Sequence, residues 1–224
     1  MDWSALQLSL QLAALTVAVL LPLGIALGRW LAFSEFRGKG VVEAALTLPL
    51  VLPPTVLGYY LLSGMSSRSP LGQAYVSLVG HPLAFTFEGL LVASVIVNLP
   101  FAIQPIQRSF EAIGPEIHDA AACCGLSGWR TLWRIELPLA WPGVLGATVM
   151  TFAHTLGEFG VVLMVGGSIP GQTRTIAISI YDRMQSFDDQ AAGAMAGLLL
   201  AVSLVAITLS FVAGRRVGRP RARR

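Results

Sequence analysis

Thr47, Asn98, Gln104, Thr148, Thr151, His154, Thr155 and Glu158 are polar side chains set inside stretches that are otherwise apolar. Such groups are costly in hydrocarbon and persist where they join helices or face a passage. The chemistry they offer is hydrogen bonding, to one another or to a polar solute in transit. Lys and Arg are missing from the depth of these stretches, and Glu158 is the one acidic side chain there. A carboxylate repels an anion, which assigns Glu158 to joining helices rather than to touching an anionic solute. Catalysis finds no support, and no catalytic residue is expected. Gly38-Lys39-Gly40 has neither the hydroxyl residue nor the upstream glycine of the phosphate-cradling pattern G-x-x-x-x-G-K-[ST]. Cys123 and Cys124 are adjacent, form no CxxC site and read as small buried residues. His81, His118 and His154 are scattered over different segments, so neither a metal site nor a proton relay is expected.

A second constellation lies between two apolar stretches: Asp119-Ala120-Ala121, three residues, Gly125, nine residues, Ile135, one residue, Leu137-Pro138. Pro115 suits the first turn of a helix, where its missing N–H costs nothing, and Gly125 suits the residue just past a helix end, where positive φ is wanted. The segment from Pro115 to Cys124 therefore reads as a short helix. Ser127 can cap a second one running through Thr131 to Arg134, which Pro138 stops before Pro142 opens the next apolar stretch. Ala120, Ala121 and Ala122 give the first helix a narrow surface that can seat deeply in a cleft. Asp119, near its start, offers a charge to a basic partner. The competing reading is a helical hairpin packed on the chain's own spans.

The elements that must position these residues are membrane spans. The 224 residues are 54% apolar and 12% charged, against about a quarter charged in a soluble domain. Spanning the hydrocarbon takes ~20 apolar residues as a helix, and five stretches qualify, at about 6–28, 42–62, 89–106, 142–165 and 191–213. All belong to one transmembrane domain covering 1–224. Gly and Ala within the last three let helices approach closely. Pro22, Pro49, Pro53, Pro54, Pro100 and Pro105 are tolerable in such helices and mark kinks, above all at Pro53-Pro54. The first apolar run follows Asp2 rather than a basic cluster and exceeds a signal-peptide core, so it is expected to stay as a helix. Five spans put Arg29, Arg37, Lys39, Arg108, Arg130, Arg134 and the six arginines of 215–224 on one side, and Arg68, Arg174 and Arg183 on the other. Basic residues prefer the cytoplasmic side, which places the N-terminus outside, the C-terminus inside and the loop 111–138 in the cytoplasm. Between the second and third spans, Leu71, Ala74, Tyr75 and Leu78 follow helical spacing and suggest an amphipathic interfacial helix, with an irregular loop as the alternative. The basic tail suits anionic lipid rather than nucleic acid.

The loop pattern, with Asp in place of the usual Glu, resembles the EAA loop of the permease subunits of ATP-driven ABC importers. Two further stretches resemble one branch of these permeases, the molybdate importers: Leu48-Pro49-Leu50-Val51-Leu52-Pro53-Pro54-Thr55-Val56-Leu57-Gly58-Tyr59, and Leu156-Gly157-Glu158-Phe159-Gly160 with Ile169-Pro170-Gly171-Gln172-Thr173-Arg174-Thr175. The Leu-Gly-Glu-Phe-Gly run is shared with sulfate and thiosulfate permeases, which keeps those substrates open; tungstate is inseparable from molybdate. The resemblance implies an all-α integral membrane protein of the type I importer (MetI-like) fold in the bacterial inner membrane. It also implies alternating access in a pathway formed by two copies of the subunit. An ATPase dimer on the cytoplasmic side would use ATP and Mg2+, with no cofactor bound by this chain, and a periplasmic oxyanion-binding protein would deliver substrate. Asp119, Ala120, Ala121, Gly125, Ile135, Leu137 and Pro138 then form the coupling loop. Candidate pathway residues are Pro53, Pro54, Thr55, Asn98, Thr151 and Thr155. Arg174 is the candidate cation of the outer mouth, by steering an oxyanion or pairing with the binding protein, unless it is a solvated loop charge. A secondary transporter would instead require internal repeats and an ionisable coupling site at mid-depth, at which only Glu158 hints.

Overall fold

The computed structural model describes residues 1–217, and the arginines at 219, 221, 223 and 224 lie outside the described residues. Helix α1 (Trp3–Phe33) opens on Asp2, whose carboxylate accepts the Ala5 N–H at 3.0 Å and caps the first turn. It runs beyond the expected 6–28 and carries Arg29 within its last turns. The second apolar stretch forms two helices, α2 (Lys39–Val51) and α3 (Pro54–Met65), bent by 110°. The single kinked span expected over 42–62 is instead a pair of separate helices. Leu52 and Pro53 each precede a proline and are pushed to extended backbone, with ψ 137° at both. Pro54 then restarts the helix from its first turn, where its missing N–H is harmless.

Helix α4 (Pro70–Val79) occupies the segment between these helices and the next span, capped by Ser69 at one end and by left-handed Gly80 at the other. Leu71 and Leu78 are exposed on it. Helix α5 (Phe87–Glu111) holds Pro100 and Pro105 in its interior. After α6 (Pro115–Cys123) and α7 (Gly128–Thr131), the chain continues through a π turn (Leu132–Glu136) into α8 (Leu137–Gly157). The expected stop at Pro138 is thus overturned, because the helix runs unbroken from Gly128 to Gly157. The reason is the wider turn: Leu137 N–H donates five residues back to Leu132, and the π geometry absorbs the donor that Pro138 lacks. The fourth span ends earlier than expected, at Glu158, whose extended backbone separates α8 from the short α9 (Gly160–Gly166). Helices α10 (Ile176–Gln185) and α11 (Asp189–Val217) complete the described chain. Four single helices and the bent α2–α3 pair have the length and composition to cross a membrane.

The centre of the subunit is the packing of α1, α5 and α8. Gly24 and Gly28, four residues apart on α1, let its backbone rest on α5: a Cβ at Gly28 would lie 3.1 Å from the Gln107 amide nitrogen, and one at Gly24 3.3 Å from the Ala102 carbonyl oxygen. One turn pair further out, Thr16 donates to Ser94 across the same seam at 3.0 Å. Toward the C-terminal end of α5, Ile106 and Phe110 close on Ala140, Val144 and Ala147 of α8. A second contact joins the two broken elements. A Cβ at Gly58 of α3 would lie 2.7 Å from the Met164 Cβ of α9, and one at Gly160 would lie 2.6 Å from the Pro54 Cβ.

Candidate functional site

The loop 111–138 is built as the turn chemistry dictates. Pro115 starts α6, and Gly125 ends it with φ +70°. Gly125 N–H donates to Ala122 and Leu126 N–H to Ala121, at 2.9 and 3.1 Å, satisfying carbonyls the helix end would otherwise orphan. Asp119 and Ala120 are exposed while Ala121 is buried, so α6 turns its acidic, narrow side outward. Asp119 stands in the second turn rather than at the helix start, which removes most of its interaction with the helix dipole. The other half of the motif faces inward: Leu137, with Ile117 and Leu132, packs against the Ile106–Phe110–Ala140 cluster. Ile135 is half-buried and Pro138 exposed.

Two features of this loop lie outside the residues of the spaced motif. Trp129 and Trp133 stand exposed with their rings edge to face at 5.6 Å. Glu136, between Ile135 and Leu137, is wholly buried and receives the Arg29 guanidinium, Nε at 2.5 Å and Nη2 at 3.0 Å, with His118 Nδ1 3.5 Å away. The signal for the tryptophans was their i,i+4 spacing. Nothing local marks Glu136.

At mid-depth the six pathway candidates do not share one lining. Pro53, Pro54 and Thr55 are exposed at the α2–α3 break. Asn98, Thr151 and Thr155 are buried inside the subunit. Asn98 Nδ2 donates to the Ser94 carbonyl at 2.8 Å, and Thr155 Oγ1 to that of Thr151 at 2.8 Å. The Thr151 hydroxyl is buried without a partner among the described residues. His154, set aside in the sequence as scattered, meets Asn98 Oδ1 at 3.1 Å, stacks on Phe101 at 4.2 Å and lies 3.8 Å from Glu158. Glu158 in turn accepts the Val161 N–H at 3.0 Å, capping α9. Phe101, His154 and Glu158, but not Asn98, Thr151 or Thr155, border a cavity of about 140 Å³ that Pro54 also lines. The His154–Glu158 pair was readable from its i,i+4 spacing; Asn98, 56 residues away, was not.

On the opposite face, Arg174 is already engaged. Its Nε lies 3.0 Å from Ser168 Oγ and 3.5 Å from Asp182 Oδ2, and Ser168 donates to the same carboxylate at 2.8 Å. Nearby, Asp2 accepts from Ser179 at 3.0 Å. Partial burial pushes the Asp2 carboxyl up, but the Ala5 N–H, the Ser4 and Ser179 hydroxyls and the Arg174 charge outweigh it and hold the group below the usual carboxylate value. A groove of about 630 Å³ opens beside these residues, lined by Ser4, Gln7, Gln11, Thr86, Glu88 and Gln172. Arg174 does not line it.

The family described as "binding-protein-dependent transport system inner membrane component" matches residues 21–223. The chain belongs to this family. Among relatives, it is 45% identical over 206 residues to the molybdenum transport system permease protein of Azotobacter vinelandii, covering 92% of this chain and 91% of that protein. It is 35% identical over 208 residues to the molybdenum permease of Escherichia coli K12, covering 93% and 90%. The sulfate transport system permease of the same strain is 32% identical over 187 residues, covering 82% and 67%. The permease family's fold is equally clear. A bacterial alginate ABC importer superposes with a TM-score of 0.78 at 18% identity, over 96% of this chain and 79% of that one. The MetNI methionine transporter superposes with 0.70 at 16% identity, over 97% and 94%. The chain is therefore a multi-pass membrane protein of the type I importer permease fold.

Proposed function

We propose that the chain is the permease subunit of an ATP-driven importer that moves molybdate, and tungstate with it, into the cytoplasm by alternating access. The observation that carries this reading is the 45% identity to a molybdenum permease over nine-tenths of both chains, against 32% to a sulfate permease matched over 67% of its length. In this reading residues 1–224 act as one transmembrane domain. Two copies enclose the pathway, a periplasmic oxyanion-binding protein delivers substrate, and a cytoplasmic ATPase dimer hydrolyses ATP with Mg2+. The N-terminus is outside and the C-terminus in the cytoplasm, with the tail on anionic lipid. Asp119, Ala120 and Gly125 face the ATPase, Ala121, Ile135 and Leu137 seat the loop, and Pro138 carries the chain into α8. Pro53, Pro54 and Thr55 face the pathway at the α2–α3 break, with Asn98, Thr151 and Thr155 behind them.

The chemistry suits a tetrahedral dianion that must leave as readily as it enters. A conduit offering hydroxyls, amides and backbone dipoles, with no Lys or Arg at mid-depth, binds such an ion weakly, and tight capture falls to the binding protein. The test is uptake of labelled molybdate by vesicles holding this subunit with its ATPase and binding protein. ATP-dependent uptake that tungstate competes for and sulfate does not is the expected result. Competition by sulfate at equal concentration would transfer the assignment to a sulfate importer, and ATP-independent uptake would end the importer reading.

A further inference from the structure

We propose that Glu136 is a positioning residue that locks the cytoplasmic end of α1 to the loop 115–138, so that α1, α6 and the foot of α8 move as one body. The inference rests on the importer reading above. Two other chain segments, one of them 107 residues away, converge on this carboxylate. Arg29 of α1 reaches it with two nitrogens, Nε at 2.5 Å and Nη2 at 3.0 Å, which is the forked geometry that fixes direction as well as distance. His118 of α6, the residue before Asp119, lies 3.5 Å away through Nδ1. Glu136 itself closes the π turn that feeds α8.

An aromatic floor fixes the remaining freedom. The Phe33 ring lies 5.7 Å beneath the Arg29 guanidinium and edge to face with His118 at 4.5 Å. Phe33 also meets Phe110 of α5 at 6.0 Å. The carboxylate has no exposed surface, whereas Arg29 is 35% and His118 29% exposed at the side chain. A buried carboxylate whose neighbours come from α1 and α6 resists any motion that separates those helices, because separation would strand a charge away from water. Motion imposed on α6 from outside is then delivered to α1, which carries the α1–α5 seam, and not only to α8, to which the loop is joined covalently. A linker with no cross-tie would flex at the π turn and lose part of that displacement.

The test uses the complete complex reconstituted in vesicles, with Cys123 and Cys124 replaced by Ser. In the wild type, ATP-dependent uptake must first be seen; its absence would remove the importer reading and leave the geometry of Glu136 as it stands. Glu136→Gln is expected to assemble with the ATPase and to lower uptake per ATP hydrolysed by about tenfold, a coupling loss in the range typical of linked sites. Arg29→Lys, which keeps the charge but loses the fork, should fall between the two. The decisive arm is Arg29→Cys with Glu136→Cys: uptake per ATP should be low when the thiols are free and restored when a short bifunctional reagent joins them. Uptake that is normal with free thiols, or abolished by the cross-link, would show that α1 and the loop separate during transport and would overturn the proposal. Loss of ATPase association in Arg29→Lys as well as Glu136→Gln would equally overturn it, by making the cluster a requirement for assembly rather than for transmission.

Discussion

Arg174 is the cation that an oxyanion arriving beside the groove of Gln172 would be expected to meet, yet Ser168 and Asp182 already hold its guanidinium. With the two charged side chains 30% and 40% exposed, such a pair contributes roughly 0–1 kcal/mol, and its main effect is to shape the turn from 168 to 174. Steering acts through a field screened beyond ~8 Å at physiological ionic strength, so the two roles separate by salt. Arg174→Gln is expected to lower uptake by the same small factor at low and high ionic strength; a loss confined to low salt would return steering to this residue. Asp2 supplies a pH test on the same face. Its folded carboxyl lies below the ordinary value, so its stabilising contribution is complete above the unfolded pKa of ~3.9 and disappears as pH falls through the lowered folded value. The difference in thermal stability between wild type and Asp2→Asn should be constant from neutral pH to about pH 5 and shrink below it. A difference that grows on acidification would contradict the assignment. Residues of this kind divide into legible and illegible by the range of their partners. His154 lies in the last turn of α8 and Glu158 is the residue that ends it, four positions on, so their pairing is a property of the local sequence. Glu136 gives no such sign, because its meaning lies in Arg29, 107 residues earlier, and only the packing of α1 on the loop joins them.

Helix ends obey local rules, and the elements that follow those rules were legible. Pro115 at the start of α6 and Gly125 past its end are signals read within ten residues, and both ends fall where those signals place them. Pro138 marks where local reasoning fails. A proline rule predicts a stop, but a π turn is an alternative way to dispense with the donor, chosen here by the burial of Glu136 and Leu132 beside α1 and α5. The double proline was legible as a kink; the 110° turn was not, because its size is set by α3 packing onto α9 through Gly58 and Gly160. These contacts make graded predictions. A Cβ at Gly125 meets nothing within 4 Å among the described residues, so substitution there costs backbone strain alone, ~1–2 kcal/mol for an ordinary side chain and less for Asn. Gly125→Val should insert normally and co-purify with less ATPase than Gly125→Asn; equal recovery would remove the turn from the interface. Gly58→Ala, against the Met164 Cβ, should lower the melting temperature in detergent by several degrees, a ~1–3 kcal/mol overpacking effect, while Gly64→Ala, with open space around it, should not. Equal melting temperatures would mean that α3 and α9 are not held together at this contact.

At the scale of the molecule, α1, α5 and α8 form a self-sufficient core, whereas α2 buries none of its residues and the apolar window of α11 only 11%. The faces left over, including Thr55 and Tyr59 beside the α2–α3 break, are apolar or uncharged and suit lipid or a second copy of the chain. Orientation is the whole-molecule property on which the rest of the proposal turns, because an ATPase can reach Asp119 from one side of the membrane only. The argument for it is the basic asymmetry across five spans, and a broken second span still crosses provided α3 continues the direction of α2 to the far side. If the 110° bend instead returned the chain to its starting side as a re-entrant pair, α5 would begin on the same side as α2, and every later segment would exchange sides relative to α1. Single cysteines at Ser67, Gln172 and Ser127, all exposed positions, distinguish the two cases once Cys123 and Cys124, which are exposed and not buried as expected, are replaced. A membrane-impermeant thiol reagent on intact cells should label Ser67→Cys and Gln172→Cys, and Ser127→Cys only after permeabilisation. Ser67 and Ser127 lie on opposite sides in either case, since one full span, α5, separates them. Labelling of Ser127→Cys from outside, with Ser67→Cys protected, would therefore overturn the proposed orientation and take the loop away from any cytoplasmic ATPase.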